Sequence, residues 1–292
     1  MMNIKWEYVK CHICNKYVEP EIIRLKGQAL VDGQFGYSVH PVICPSCGLV
    51  YLNPRWSKKD YNIFYSYYYD PLYRLEIKPD YGVEGVIKNM RVIYDRIKNH
   101  INKETKNILD VGCGSGYGLK YLQDKIPRSE IYGIESSPKC CDFLQSNKIG
   151  AKLITTDFDD DWTREYKNSM DLVILRHVIE HMLEPTETLK KLKNVLTKEG
   201  VIYFATPDMM HPRIKLRDYD NWWEYWFRAV HPYYYCKETM LKTLELSGLY
   251  TYQSGDKENE EVWTLAKKYK TTDFRFKNVY NKQRGLLKEL LT

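Results

Sequence analysis

The 292-residue sequence holds no apolar run near the ~18 residues that a membrane-crossing helix needs. Its opening stretch, MMNIKWEYVK, has no hydrophobic segment of the kind a secretory signal requires. These absences predict a cytoplasmic protein without membrane insertion. Internal repeats and low-complexity linkers are also missing, which excludes repeat architectures. Nor is there a clustered basic stripe. The 44 Lys and Arg are scattered among 38 acids for a net charge of +6, so nucleic acid is not an expected partner. With 43% hydrophobic and 28% charged residues, the chain falls among soluble globular proteins. Its excess is tyrosine, 26 in all, gathered in places into clusters such as Tyr65, Tyr67, Tyr68, Tyr69 and Tyr233, Tyr234, Tyr235.

Cysteine is plentiful but not arranged for disulfides, which a chain without a secretory signal does not favour. Four of the eight fall in two C-x-x-C pairs, Cys11 with Cys14 and Cys44 with Cys47. Each pair sets two thiolates on one tight turn, and two such turns facing each other give tetrahedral sulfur coordination. Gly48 follows Cys47, where a knuckle needs a left-handed residue. Four protein ligands leave no place for water, so the expected ion is a structural Zn2+. His12 and His40 stand close enough to substitute as ligands and read first as polar loop residues. So small a region buries little core, and the metal would supply much of its folding energy.

From about residue 105, short apolar runs alternate with amphipathic stretches, the pattern of βαβ units. NILDV (107–111) reads as a buried strand running through Gly112, Cys113, Gly114, Ser115 and Gly116 into a helix, GYGLKYLQDKI. Gly112 suits a tight turn, and Gly114 and Gly116 would let a cofactor approach the backbone. IYGIE (131–135) is a second strand ending in Glu135, an acid placed about 20 residues after the glycines to grip a ribose diol. KLITT leads to Asp157, MDLVIL (170–175) leads to Arg176 and His177, and VIYFAT (201–206) follows the turn KEG. The glycines alone would equally suit a nicotinamide enzyme. Cys113 reads as a small residue that fits the loop.

The set ILDVGCGSGYG, GIE, MDLVILRHVIEH and LTKEGVIYFATPD resembles the class I S-adenosylmethionine (SAM)-dependent methyltransferases of the UbiG-like small-molecule and glycan-modifying group. The resemblance covers roughly residues 105 to 270. It rests on Asp110 before the glycines, the G-x-G-x-G spacing and the H-x-x-E-H after the fourth strand. It implies an α/β fold: a Rossmann-like, seven-stranded, mostly parallel sheet with flanking helices and its last strand antiparallel. A small zinc-ribbon-like module would stand at the N-terminus. Carried over by position, Asp110, Gly112, Gly114 and Gly116 would hold the methionine part of SAM. Glu135 would hold the ribose hydroxyls and Asp157 the adenine, while Arg176 or His177 would line the pocket.

The run ICPSCGLVYLNPR ahead of an aromatic-rich stretch also resembles methyltransferases of sugar and surface-polysaccharide gene sets. Longer members add a C-terminal domain that this chain lacks, which points to O-methylation of a sugar or related small molecule. Removing a hydroxyl proton needs a base. HPYYYCKETMLKTLELSGL (231–249) resembles the family segment over the active site, so His231 is the first candidate base and His181 the second. Their plainer readings are a loop histidine before Pro232 and a helix residue capping local structure. The aromatics of YDNWWEYWF (219–227) would form a stacking platform or pack as a lid. The Tyr65–Tyr69 cluster would close over SAM.

Two rival classes remain at this stage. A nucleic-acid enzyme would use the zinc module on RNA, but the sequence lacks both an Asn-Pro-Pro-Tyr loop and a Pro-Cys nucleophile. A non-catalytic scaffold would not need the intact glycine loop and Glu135. The resulting division is a zinc module at 1–55, connecting or cap helices at 56–104, the SAM domain at 105–270, and a tail helix at 271–292 that could serve a homodimer.

Overall fold

The computed structural model describes residues 3–16, 21–23, 30–32, 35–69, 82–101, 104–146, 149–210, 227–256, 261–270 and 275–291. Within the N-terminal part, short strands β1 (Trp6–Glu7), β2 (Glu21–Ile22), β3 (Leu30–Val31), β4 (Ser38–Val39), β5 (Pro41–Ile43), β6 (Val50–Leu52) and β7 (Arg55–Trp56) make small antiparallel pairings. Helix α1 (Lys58–Ile63) starts at the Ser57 cap, whose hydroxyl accepts from the Asp60 N–H. A π-helical turn, Phe64–Tyr68, continues it.

Helix α2 (Val83–Ile97) buries Met90, Ile93 and Ile97, spaced to share one face. Then come β8 (Asn107–Val111), α3 (Tyr117–Lys125), β9 (Glu130–Ile134), α4 (Pro138–Ser146), β10 (Lys152–Thr155), β11 (Met170–Arg176), α5 (Pro185–Val195) and β12 (Leu196–Pro207). After β13 (Tyr233–Tyr234) follow α6 (Lys237–Leu246), β14 (Tyr250–Gly255), β15 (Glu261–Lys267) and α7 (Tyr280–Leu291).

Seven strands form one sheet in the order β10-β9-β8-β11-β12-β15-β14. The first five pair in parallel, and β15 runs against both of its neighbours. The expected mostly parallel sheet with its last strand reversed is therefore the one observed. Central strands are buried on both faces, which is why NILDV and MDLVIL read as unbroken apolar runs. β12 begins earlier than VIYFAT, at Leu196, so the expected turn KEG lies within it. Strand order reverses at β8, and the crevice beyond the carboxyl ends of the strands there is where such sheets bind ligands. No helix among the described residues is long and apolar enough to cross a membrane.

β13 does not join the large sheet. It forms the edge of a four-stranded sheet, β13-β6-β5-β2, with Tyr233 opposite Tyr51 and Tyr234 opposite Val50. Helix α7 packs onto the same region. Val279, Leu286 and Leu287 are buried, and Arg284 and Tyr280 both bond Glu21.

Candidate functional site

The glycine loop leaves β8 at its carboxyl end with all three glycines left-handed: Gly112 at φ 74°, Gly114 at 56° and Gly116 at 79°. A side chain at Gly116 would strike Leu144 at 2.2 Å, so its bareness serves packing against α4. At Gly114 nothing lies within 4 Å, and the close backbone approach expected of the loop falls there. Glu135 is buried and holds the loop in shape. One carboxylate oxygen accepts from the Gly114 N–H at 2.7 Å and the other from the Ser137 N–H at 2.8 Å. Asp110 lies buried beneath the loop; burial, then the nearby Glu135 charge, pushes its carboxyl up to about 7 against the pull of Arg176.

Arg176 and His177 are less free than the sequence reading expects. The Arg176 Nε donates to Glu261 at 2.9 Å, and the His177 Nε2 lies 3.1 Å from the same oxygen. Arg96 donates to the other Glu261 oxygen at 2.9 Å and to the Tyr203 hydroxyl at 2.6 Å. Burial opposes the Glu261 charge, but the His177 hydrogen bond and the Arg176 charge bring its carboxyl down to about 2. Nothing in the sequence singled out Glu261 or Arg96, which lie 165 residues apart. Asp157 is exposed, and its carboxylate accepts from the Asp159 N–H at 2.8 Å, a turn-forming bond that leaves the other oxygen free.

The two histidines meet. A 3-10 turn, Ile179–His181, follows β11 and lies against the glycine loop, because a side chain at Gly112 would touch Val178 at 2.7 Å. The rings of His181 and His231 stand edge to face with centroids 4.6 Å apart. A Glu180 oxygen and a ring nitrogen of each histidine all lie within 4.8 Å of one another. The His181 Nδ1 is 3.0 Å from the Val230 carbonyl and 2.9 Å from the Tyr65 hydroxyl. A carbonyl only accepts, so Nδ1 carries the proton and Nε2 keeps its lone pair. Burial lowers the pKa of His181, and burial together with the His181 charge lowers that of His231 further. Both rings are therefore neutral bases at pH 7. Tyr65 reaches the histidine from the π-helical turn, a helix irregularity that often marks functional sites. The aromatic run 219–226 lies outside the described residues; Phe227 is buried against Tyr234.

The four cysteines also meet. Cys11 and Cys47 sulfurs are 3.6 Å apart, and Cys14 and Cys44 sulfurs 3.9 Å. A tetrahedral ion with sulfurs at about 2.3 Å would set them about 3.8 Å apart. Each knuckle closes with a backbone bond, Asn15 N–H to Cys11 and Gly48 N–H to Cys44. Asn15 takes the left-handed place that Gly48 fills in the second knuckle. The N–H of Leu49 points at the Cys47 sulfur at 3.5 Å, a donor suited to a thiolate. Hydrogen bonding within the cluster pushes the Cys11 and Cys47 thiols up and the Cys44 thiol down. The donor set fits Zn2+.

The methyltransferase-domain family matches residues 86–254, more than half of the chain, and the protein belongs to that family. The strand order β10-β9-β8-β11-β12-β15-β14 gives it the Rossmann-like methyltransferase fold. It is 30% identical over 107 residues to the malonyl-[acyl-carrier protein] O-methyltransferase of Acetivibrio thermocellus, covering 36% of this chain and 37% of that one. It is 24% identical over 154 residues to the tRNA U34 carboxymethyltransferase of Sulfurimonas denitrificans, covering 52% and 46% respectively. The chain thus spans well under two thirds of the length of either relative. A solved Pyrococcus horikoshii OT3 protein shares the fold at 18% identity, with TM-score 0.50 over 66% of this chain and 97% of that one. None of these relatives carries a sugar in its name.

Proposed function

We propose that the chain transfers the methyl group of SAM to a hydroxyl of a small molecule, a class that includes the sugar hydroxyls expected from the sequence. The observation that carries this reading is the neutral His181–His231 pair, held against the glycine loop by Val178. Glu135, at the carboxyl end of the second strand of the sheet and bonded to the Gly114 N–H, takes the ribose hydroxyls. Gly114 admits the methionine end above Asp110, and Asp157 accepts from the adenine amino group with its free oxygen. Displacement at the sulfonium needs acceptor, methyl and sulfur in line, and an acceptor stripped of its proton.

His181 is the better-held base of the two. Its Nδ1–H is fixed by Val230 and Tyr65, which aims the Nε2 lone pair, whereas no hydrogen bond fixes the His231 ring among the described residues. The methyl–oxygen bond forms as the sulfur–methyl bond breaks, the acceptor proton moves to Nε2, and Glu180 supports the imidazolium. The four cysteines hold a structural Zn2+. RNA methylation is the reading set aside, because the acids and bases at the site need no nucleic-acid surface.

The test is calorimetric titration with SAM and S-adenosylhomocysteine, then methyl transfer from labelled SAM to hydroxyl-bearing small molecules. Glu135→Ala removes the ribose bonds, each worth about 1.5–3 kcal/mol when the acceptor is charged, so affinity should fall roughly 100-fold. A folded wild-type chain that binds neither ligand would overturn the proposal.

A further inference from the structure

The histidine pair is carried by two chain segments that meet at the His181–Val230 bond and at the two rings. His181 sits in 179–183, after β11; His231 sits just before β13. Both segments are tied to the four-cysteine module, and the joint is one side chain. Arg55 lies on β7 and is only 5% exposed. Its Nε donates to Glu7 of the same module at 2.9 Å. Its Nη1 donates at 3.0 Å to the Leu183 carbonyl, two residues past His181. The same nitrogen donates at 3.0 Å to the hydroxyl of Tyr233, two residues past His231. That hydroxyl in turn donates to the Leu183 carbonyl at 3.0 Å. The three groups close a triangle that joins the two histidine segments a second time, beside the direct bond from the His181 Nδ1 to the Val230 carbonyl.

Two further ties run from the cysteine turns. The Leu52 N–H donates to the Pro232 carbonyl at 2.9 Å, extending the pairing of β6 with β13 up to the residue beside His231. His12, between Cys11 and Cys14, stands edge to face with Tyr233 at 4.8 Å and lies 3.3 Å from the Tyr235 hydroxyl.

We infer that Arg55 is a positioning residue for methyl transfer, fixing the separation and tilt of the His181 and His231 rings from the four-cysteine module. This rests on the proposed role of the histidines. Arg55 is not among the charges that act most strongly on them. The groups that set the two rings electrostatically are Glu180, His177, Arg228 and the rings themselves, with Tyr65 and the Val230 carbonyl bonded to His181. A change at Arg55 reaches the imidazoles chiefly by moving them. The planar fork matters as well as the charge, since one ammonium cannot reproduce the spread of three partners.

The test follows the imidazole nitrogens of the full-length, zinc-loaded chain by NMR between pH 5 and 8, assigned with His181→Gln and His231→Gln. In Tyr233→Phe, which keeps Arg55 and removes the bridging hydroxyl, both titrations should rise toward the ordinary histidine range as water enters. Arg55→Gln should move them further, with S-adenosylhomocysteine affinity held within about twofold (a change under 0.5 kcal/mol). Glu7→Gln loosens Arg55 only on the module side; it should lower the melting temperature and leave both imidazoles in place. Unchanged titrations in Tyr233→Phe and Arg55→Gln overturn the inference, as does an equal shift in Glu7→Gln, which would mark general loosening. Should Arg55→Gln fail to fold, Tyr233→Phe decides. A wild-type chain that does not bind S-adenosylhomocysteine overturns the methyltransferase reading, while the imidazoles still report on Arg55.

Discussion

The proposed cofactor side and the proposed acceptor side of this molecule are built in opposite ways. Residues 107–137, one unbroken stretch, supply the strand, the glycine loop, the helix and Glu135, whose carboxylate closes the loop from 21 residues away. The acceptor side is assembled from pieces at Arg55, Tyr65, Glu180–Leu183 and Val230–Tyr235. Its bonds join residues 49 to 178 apart. A contiguous site can tolerate drift elsewhere in the chain. A dispersed one depends on every element that carries a piece of it, the cysteine module included.

That contrast can be broken most severely at the metal. Stripping zinc with a chelator, or making Cys44→Ser, should lower the melting temperature by on the order of 10 °C, because metal binding and folding of the module are one event. The histidine side should be lost before S-adenosylhomocysteine binding is. Simultaneous loss of both would erase the distinction. Metal analysis should find one zinc per wild-type chain and none in the variant.

Glu261→Gln tests the far end of the large sheet. Glu261 is 1% exposed and neutralises Arg96 and Arg176 together. Removing its charge leaves buried cations, and urea unfolding should show a loss of about 3–5 kcal/mol. The Gly114–Glu135 bond is built without Glu261, so cofactor affinity in the folded variant should change little.

Acid should weaken the two sides in opposite senses. The pKa values of His181 and His231 are lowered in the folded state, so below the unfolded value of 6.5 the unfolded chain takes up protons that the folded chain refuses. Their stabilisation is present above that pH and lost as pH falls. Asp110 is raised from 3.8 to about 7, so it binds a proton on folding and gains stability over the window in which the histidines lose it. Two protons against one leave a net loss of up to about 1.4 kcal/mol per pH unit below pH 6.5. Replacing both histidines with Gln should reverse the sign of that slope in chemical denaturation.

The smallest effect is expected at Asp157. An exposed carboxylate with one oxygen committed to a turn offers adenine about 1 kcal/mol, so Asp157→Ala should cost roughly fivefold in SAM affinity. An effect equal to that of Glu135→Ala would place adenine recognition on a level with the ribose.

The same contrast explains what could be read from the sequence. The strands at 107–111 and 170–176, the glycine turn and both cysteine pairs are local patterns, and each fell within a residue or so of its place. The packing of Gly116 beside Leu144 was not legible, because that neighbour comes from a helix that begins 22 residues later. Glu261 and Arg96 were invisible because a charge in an amphipathic stretch carries no sign that its partners are 85 and 165 residues distant. His181 and His231 were named singly. Their meeting at 4.6 Å depends on β13 leaving the large sheet, and a pair of tyrosines carries no pattern that announces this.

The pairing of β6 with β13 also sets a timetable for synthesis. About 180 residues of chain separate the two strands, which at roughly 5–20 residues per second is a wait of roughly 10–40 s on the ribosome. For that interval the nascent knuckles can gather an ion, but the edge of their sheet is open. It is open beside four thiols, in a cell where other metals compete for sulfur. Helix α7, whose start crosses so close to Gly48 that a side chain there would meet the Tyr280 nitrogen at 2.6 Å, arrives later still. The cysteine module is thus made before the large sheet and finished after it.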